Sequence, residues 1–248
     1  NRKGLYRQAL NRLNLSMIEQ ILKATHMACR DETAGKPDKD WLYRYFDMAQ
    51  EIHNPSMQRL WAQVLKREIT NPGSTSMKAL KILRDMTPKE AQILQRATAL
   101  SCQFGQDSSL KLFIGLKAQS GIFSFSKRNS MITLALGEFN LPYSTLLVLI
   151  ELGLLHSAEL ESGEIEMELP ILVGYQGKQL SLQVMSRGVR LLYYRFTPTG
   201  NELCKLLGNK PNTDYYDQLI SILGTMEQFS TELCPLDVEK FQLFAVSV

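Results

Sequence analysis

SMITLALGEFNLPYSTLLVLIELGLLH, residues 130–156, has the shape of a helix, a turn and a second helix, PYSTLLVLIELG, that ends at Gly153. Working outward, EIEMELPILV, KQLSLQVM and GVRLLYYRF are alternating or β-rich runs parted by Gly-containing turns, the pattern of a small antiparallel sheet or wing. Upstream, LKLFIGLKAQ and GIFSF have strand character. Downstream, Thr197-Pro198-Thr199-Gly200 caps a helix, NELCKLLG, and TDYYDQLISILGTMEQF supplies a last amphipathic helix.

The pair ELGLL and YRFTPTGNELCKLL resembles winged-helix domains, in which a leucine-glycine-leucine helix end precedes the wing and a Thr-x-x-Gly turn opens the next helix. The resemblance implies a winged-helix-like α+β domain with a C-terminal helix over residues 105–248. Its basic face is missing. Between Asn129 and Gly177 there is no Lys or Arg, while Glu138, Glu151, Glu159, Glu161, Glu164, Glu166 and Glu168 are all negative, which repels phosphate. Only Lys178, Arg187, Arg190 and Arg195, on the expected strands, are placed to meet a nucleic-acid backbone.

The first hundred residues have a different period. In DWLYRYFDMAQEIHNPSMQRLWAQVLKRE, residues 40–68, Trp41, Tyr45, Phe46, Met48, Ala49 and Ile52 recur at helical steps, and Met57, Leu60, Trp61, Val64 and Leu65 do the same after a break. Asn54-Pro55 is that break, because Asn caps with its side chain and Pro is tolerated at the first helical position. Thr87-Pro88-Lys89-Glu90 is a capping box. With SMKALKILRDM and SMIEQILKATHMA, residues 1–104 read as a bundle of five helices, and the whole chain as mainly α. The aromatic stripe of Trp41, Phe46 and Trp61 is a core. Arg44 and Asp47 at its edge, with Glu68 where apolar spacing predicts a core contact, are candidate binding residues, since a charge there needs a partner.

The stretch from Asp40 through TPKEAQIL is similar to the central motif of a family of uncharacterised bacterial cytoplasmic proteins, a motif shared with the Abi-alpha group named for abortive phage infection. The matching positions are Trp41, Phe46, Ala49, Met57, Gln58, Leu60, Trp61, Ala62, Leu65 and Glu68. The resemblance covers about residues 10 to 100 well and the ELGLL and FTPTGNELCKLL segments more weakly. It implies a link to phage defence or stress and supplies no catalytic assignment.

Composition narrows the function classes. The chain has 248 residues, 44% of them hydrophobic, and a net charge of +3 that conceals two opposite halves: residues 1–100 hold 17 Lys and Arg against 10 Asp and Glu, residues 101–248 hold 11 against 15. No run approaches the roughly 18 apolar residues of a membrane span. Cys29, Cys102, Cys204 and Cys234 are widely separated, with no metal-ligand spacing, so a cytoplasmic setting and no metal or cofactor are expected. No G-x-S-x-G, P-loop, G-x-G-x-x-G or H-E-x-x-H occurs.

The expectation is therefore a non-enzymatic protein-interaction module, with a protein partner or self-association through the amphipathic YYDQLISILGTMEQF. The alternative is a nucleic-acid-binding winged-helix regulator using Arg2, Lys3, Arg7 and Arg12 with Lys178, Arg187, Arg190 and Arg195. A third reading is a hydrolase built on the Asp47 and Glu68 carboxylates.

Overall fold

Local capping chemistry sets the first five elements. In the computed structural model, which describes residues 2–28, 35–118, 130–167, 169–184, 187–208, 210–224 and 231–235, these are helices α1 (Arg2–Ala28), α2 (Lys39–Ala49), α3 (Pro55–Thr70), α4 (Met77–Asp85) and α5 (Pro88–Ala99). The Asp38 carboxylate accepts from Trp41 N at 2.8 Å to open α2, and Asn54 Oδ1 accepts from Ser56 N and Met57 N ahead of Pro55 to open α3. At α5, Thr87 N donates to Glu90 Oε2 at 2.6 Å and Glu90 N returns a bond to Thr87 Oγ1 at 3.3 Å, a reciprocal capping box.

The chain forms two compact units. The first takes in Asn1–Gln95, Leu152–Leu154 and Pro198–Gly208. Trp41, Tyr45 and Trp61 are buried at its centre, with ring centroids 5.2 Å apart in both the Trp41–Tyr45 and Tyr45–Trp61 pairs. Each polar handle of Trp41 and Tyr45 is used: the Trp41 indole donates to Thr75 O at 2.8 Å and the Tyr45 hydroxyl to Trp61 O at 2.7 Å. Helix α7 (Pro198–Leu207) packs on α3 and α4 within this unit. Gly200 in its first turn lies so close to Leu154 that a Cβ would collide with the Leu154 carbonyl.

The second unit takes in Arg96–Glu151, Leu155–Thr197 and Asn209–Val248. Its frame is an antiparallel sheet of eight strands: β1 (Ser101–Phe104), β2 (Asp107–Ala118), β3 (Ser130–Thr133), β4 (Leu160–Glu161), β5 (Ile171–Tyr175), β6 (Lys178–Val184), β7 (Val189–Arg195) and β8 (Thr231–Pro235). The order is β4-β7-β2-β1-β5-β6-β8, with β3 also paired to β2. Helices α6 (Tyr143–Glu151) and α8 (Thr213–Gly224) complete it. The apolar face of α8 is spent within the unit, where buried Tyr215 meets Phe139 edge-on at 5.3 Å and Tyr175 at 5.6 Å.

This architecture overturns the expectation of a mainly α chain ending in a winged helix: the protein is α+β. The segment 130–156 is not a helix-turn-helix. SMIT is strand β3, in register with residues 115–118 of β2, and only a 3-10 turn, Leu136–Phe139, separates it from α6. Local propensity and pairing agree here, because Ile132 and Thr133 are β-branched and Gly115 lets the neighbouring strand close in. A Cβ at Gly115 would strike the Ile132 carbonyl. The expected wing strands are likewise interior members of a large sheet, with β6 between β5 and β8 and β7 between β4 and β2. Of EIEMELPILV only the end, β5, is strand. GIFSF lies outside the described residues, as does the end of the expected last helix beyond Gly224.

Candidate functional site

The β1–β2 hairpin turns through Gly105, whose φ of 60° suits a residue without a side chain, and delivers Asp107 to the start of β2. Asp107 Oδ1 accepts from Ser109 N at 2.9 Å and Oδ2 from Ser109 Oγ at 2.7 Å. The same Oδ2 lies 3.0 Å from Lys111 Nζ and 3.3 Å from an Arg195 guanidinium nitrogen. Lys111 pairs directly with Arg195 across β2 and β7, which is why two cations converge on one carboxylate. Burial by itself raises the Asp107 carboxyl, but the Ser109 and Lys111 bonds outweigh it and hold the group well below the ordinary carboxylate range.

Lys111 is the unusual member, since its side chain is only 5% exposed. Its ammonium has three donors. They are met by Asp107, by Ser109 O at 2.9 Å and by Ser109 Oγ at 3.1 Å. The Phe104 and Tyr193 ring centroids lie 5.7 and 6.0 Å from Nζ.

Beside this cluster residues 162–167 follow β4, and residues 169–170 lead into β5. Ser162 N and Ile165 N bond to the carbonyls of Leu191 and Val189, each at 2.9 Å, and Glu164 Oε1 accepts from Gly188 N at 2.7 Å, so the segment is fastened along β7. Between it and the sheet lies a cleft of about 1080 Å³, lined by Phe104, Lys111, Leu172, Leu191 and Tyr193 on the sheet and by Glu164, Glu166 and Leu169 on the segment. Leu169 is 62% exposed at its lip.

The residues singled out from sequence fall elsewhere. Glu68 is buried and its carboxylate is consumed by the turn before α4: Oε1 accepts from Gly73 N at 2.6 Å, Oε2 from Thr75 N at 3.2 Å and, weakly, from Ser74 Oγ at 3.5 Å. Arg44 and Asp47 are exposed on α2, and Asp47 accepts from Gln50 Nε2 at 3.2 Å. Trp41 and Trp61 are buried, and Phe46 packs half-buried against the edge of Tyr45 at 5.3 Å.

Of the basic set, Arg190 lies 3.4 Å from Glu161, which also holds Lys117. Arg195 is paired with Asp107, and Lys178 sits 4.0 Å above the Tyr216 ring. Arg187 is exposed and lines a smaller hollow of about 440 Å³ beside Glu164 and Glu166. Arg2, Lys3, Arg7 and Arg12 lie on the first half of α1. Among the described residues no group of three or more His, Cys, Asp or Glu could hold a metal ion, and no helix is long and apolar enough to cross a membrane.

Asp107, Lys111, Glu164, Glu166 and Tyr193 were not anticipated. One signal pointed to them: in LKLF the alternation of a strand puts Lys111 on the same face as Phe113, a lone charge on an apolar face. No curated protein and no solved structure matches the chain. A family model described as Protein of unknown function (DUF2806) matches residues 4–220, a span that holds both the aromatic core of the helical unit and the whole cleft, and the chain belongs to that family.

Proposed function

We propose that the protein is a non-enzymatic interaction module that receives a segment of a protein partner in the cleft of its sheet unit. The cleft carries the reading: about 1080 Å³ of space, apolar walls and an exposed leucine at the lip are binding features, while the buried Lys111 ammonium is engaged by Asp107 and Ser109. The hydrolase reading needs Glu68, both of whose oxygens accept bonds from the chain. The nucleic-acid reading needs cations free for phosphate; of its strand residues Arg190, Arg195 and Lys178 are each engaged by a carboxylate or a ring, which leaves it Arg187 and the basic start of α1. The likeness of the Trp/Phe motif to the Abi-alpha group extends the proposal to a bacterial cytoplasmic role in phage defence or stress.

Site-specific photocrosslinking tests it. A benzophenone amino acid at Leu169 is expected to give discrete heavier adducts in cells, and the same group at exposed Tyr43 in the helical unit is not. Absence of adducts from Leu169 overturns the proposal. Salt-sensitive binding to duplex DNA or single-stranded RNA, abolished by reversing Arg2, Lys3, Arg7 and Arg12, would transfer the function to nucleic acid.

A further inference from the structure

We infer that the segment received by the cleft carries a lysine or arginine beside its apolar residues, and that Glu164 and Glu166 select it. This rests on the cleft being a partner site and adds the partner's chemistry. Among the described residues the charges in the lining are Asp107, Lys111, Glu164 and Glu166. The first two pair with each other, Lys111 lying 3.0 Å from Asp107 with its remaining donors on Ser109, and Arg195 shares the same Asp107 oxygen at 3.3 Å. An anionic ligand therefore finds no free donor on Lys111.

The other two carboxylates form no ion pair among the described residues, although exposed Arg187 lines the smaller hollow beside them. Glu164 receives a single backbone bond, from Gly188 N at 2.7 Å, and neither Glu164 nor Glu166 has an ion pair within reach among the described residues. They flank buried Ile165 in sequence, in a lining that also includes Leu191 and Tyr193. Two unpaired negative charges against an apolar floor disfavour phosphates and carboxylates and favour a cation whose alkyl stem covers the floor.

The test is fluorescence anisotropy with three labelled peptides of equal length, alternating leucine with lysine, with glutamate or with glutamine. Wild type is expected to bind the leucine-lysine peptide at least about tenfold more tightly than the leucine-glutamate one, with the gap narrowing at high salt. E164Q/E166Q should erase that preference and E164K/E166K should invert it. Gly163→Trp fills the mouth at a position where an added Cβ meets nothing within 4 Å, and should block every peptide. If Gly163→Trp blocks binding but the glutamate variants leave the preference unchanged, the cation inference is overturned and the cleft survives as a site. If Gly163→Trp changes nothing, the cleft reading itself falls, and failure of all three peptides to bind overturns the inference. Circular dichroism of each variant confirms that it is folded.

Discussion

The Lys111 ammonium lies 3.0 Å from the Asp107 carboxylate, with the lysine side chain 5% exposed and the aspartate 43% exposed. The burden of the pair is unequal, because losing the exposed partner strands a buried charge while losing the buried one does not. Asp107→Ala should cost about 1–3 kcal/mol. Lys111→Met, which keeps the stem, should cost under about 1.5 kcal/mol. Urea denaturation of both variants checks the order, and equal losses would contradict it.

The acid limb of stability should also report Asp107. Its carboxyl is held below the ordinary range in the fold. The contribution is therefore complete above the unfolded-state value of about 4 and is lost as the pH falls below it. Asp107→Asn should flatten the decline of the urea midpoint in that window.

At the alkaline end, burial pushes the Tyr45 phenol far above its usual value. The folded chain then holds the proton more tightly than the unfolded chain, so the contribution is complete below about pH 10 and is lost as pH rises beyond it. Tyr45→Phe gives up the 2.7 Å bond to Trp61 O. That should cost about 0.5–1.5 kcal/mol at neutral pH. It should also make the alkaline fall shallower, though not flat, since buried Tyr215 is raised as well and the Cys102 thiol is pushed up to about 12.

Glu68→Ala should destabilise the helical unit, not remove a reaction. The substitution leaves Gly73 N and Thr75 N without their acceptor, at a cost of about 1–3 kcal/mol. Glu68→Gln keeps an acceptor oxygen and should recover part of the loss. A Glu68→Ala variant with wild-type stability would show that the turn finds another acceptor.

Gly200→Ala should be among the most damaging single-methyl changes in the chain. The added carbon meets the Leu154 backbone, which cannot swing aside as a side chain would. Overpacking of this kind costs about 1–3 kcal/mol, visible as a lower thermal midpoint. An unchanged midpoint would mean that α7 shifts away from Leu154 at no cost.

The helical unit was largely legible because its signals are local. The Asn54-Pro55 break, the Thr87 to Glu90 capping box and the stripe from Trp41 to Trp61 each lie within a few residues, and a helix makes its own backbone bonds over that distance. Glu68 announced itself as a charge at a core position, but its partners could not be named, since a turn's free N–H groups are created by the fold.

The sheet and its cleft were decided by distance. Ser130–Thr133 became a strand because residues 115–118 of β2 offered it a pairing edge, and no property inside SMIT marks that partner. The cleft draws Phe104, Lys111, Glu164, Leu172 and Tyr193 from far-separated parts of the chain, so it exists only after β7, β2, β1 and β5 have taken their order. Composition set the acidity of residues 159–168 and the lone cation of LKLF. That Arg195 would join Lys111 on the Asp107 carboxylate followed from the register of β2 against β7, which periodicity along one strand does not encode.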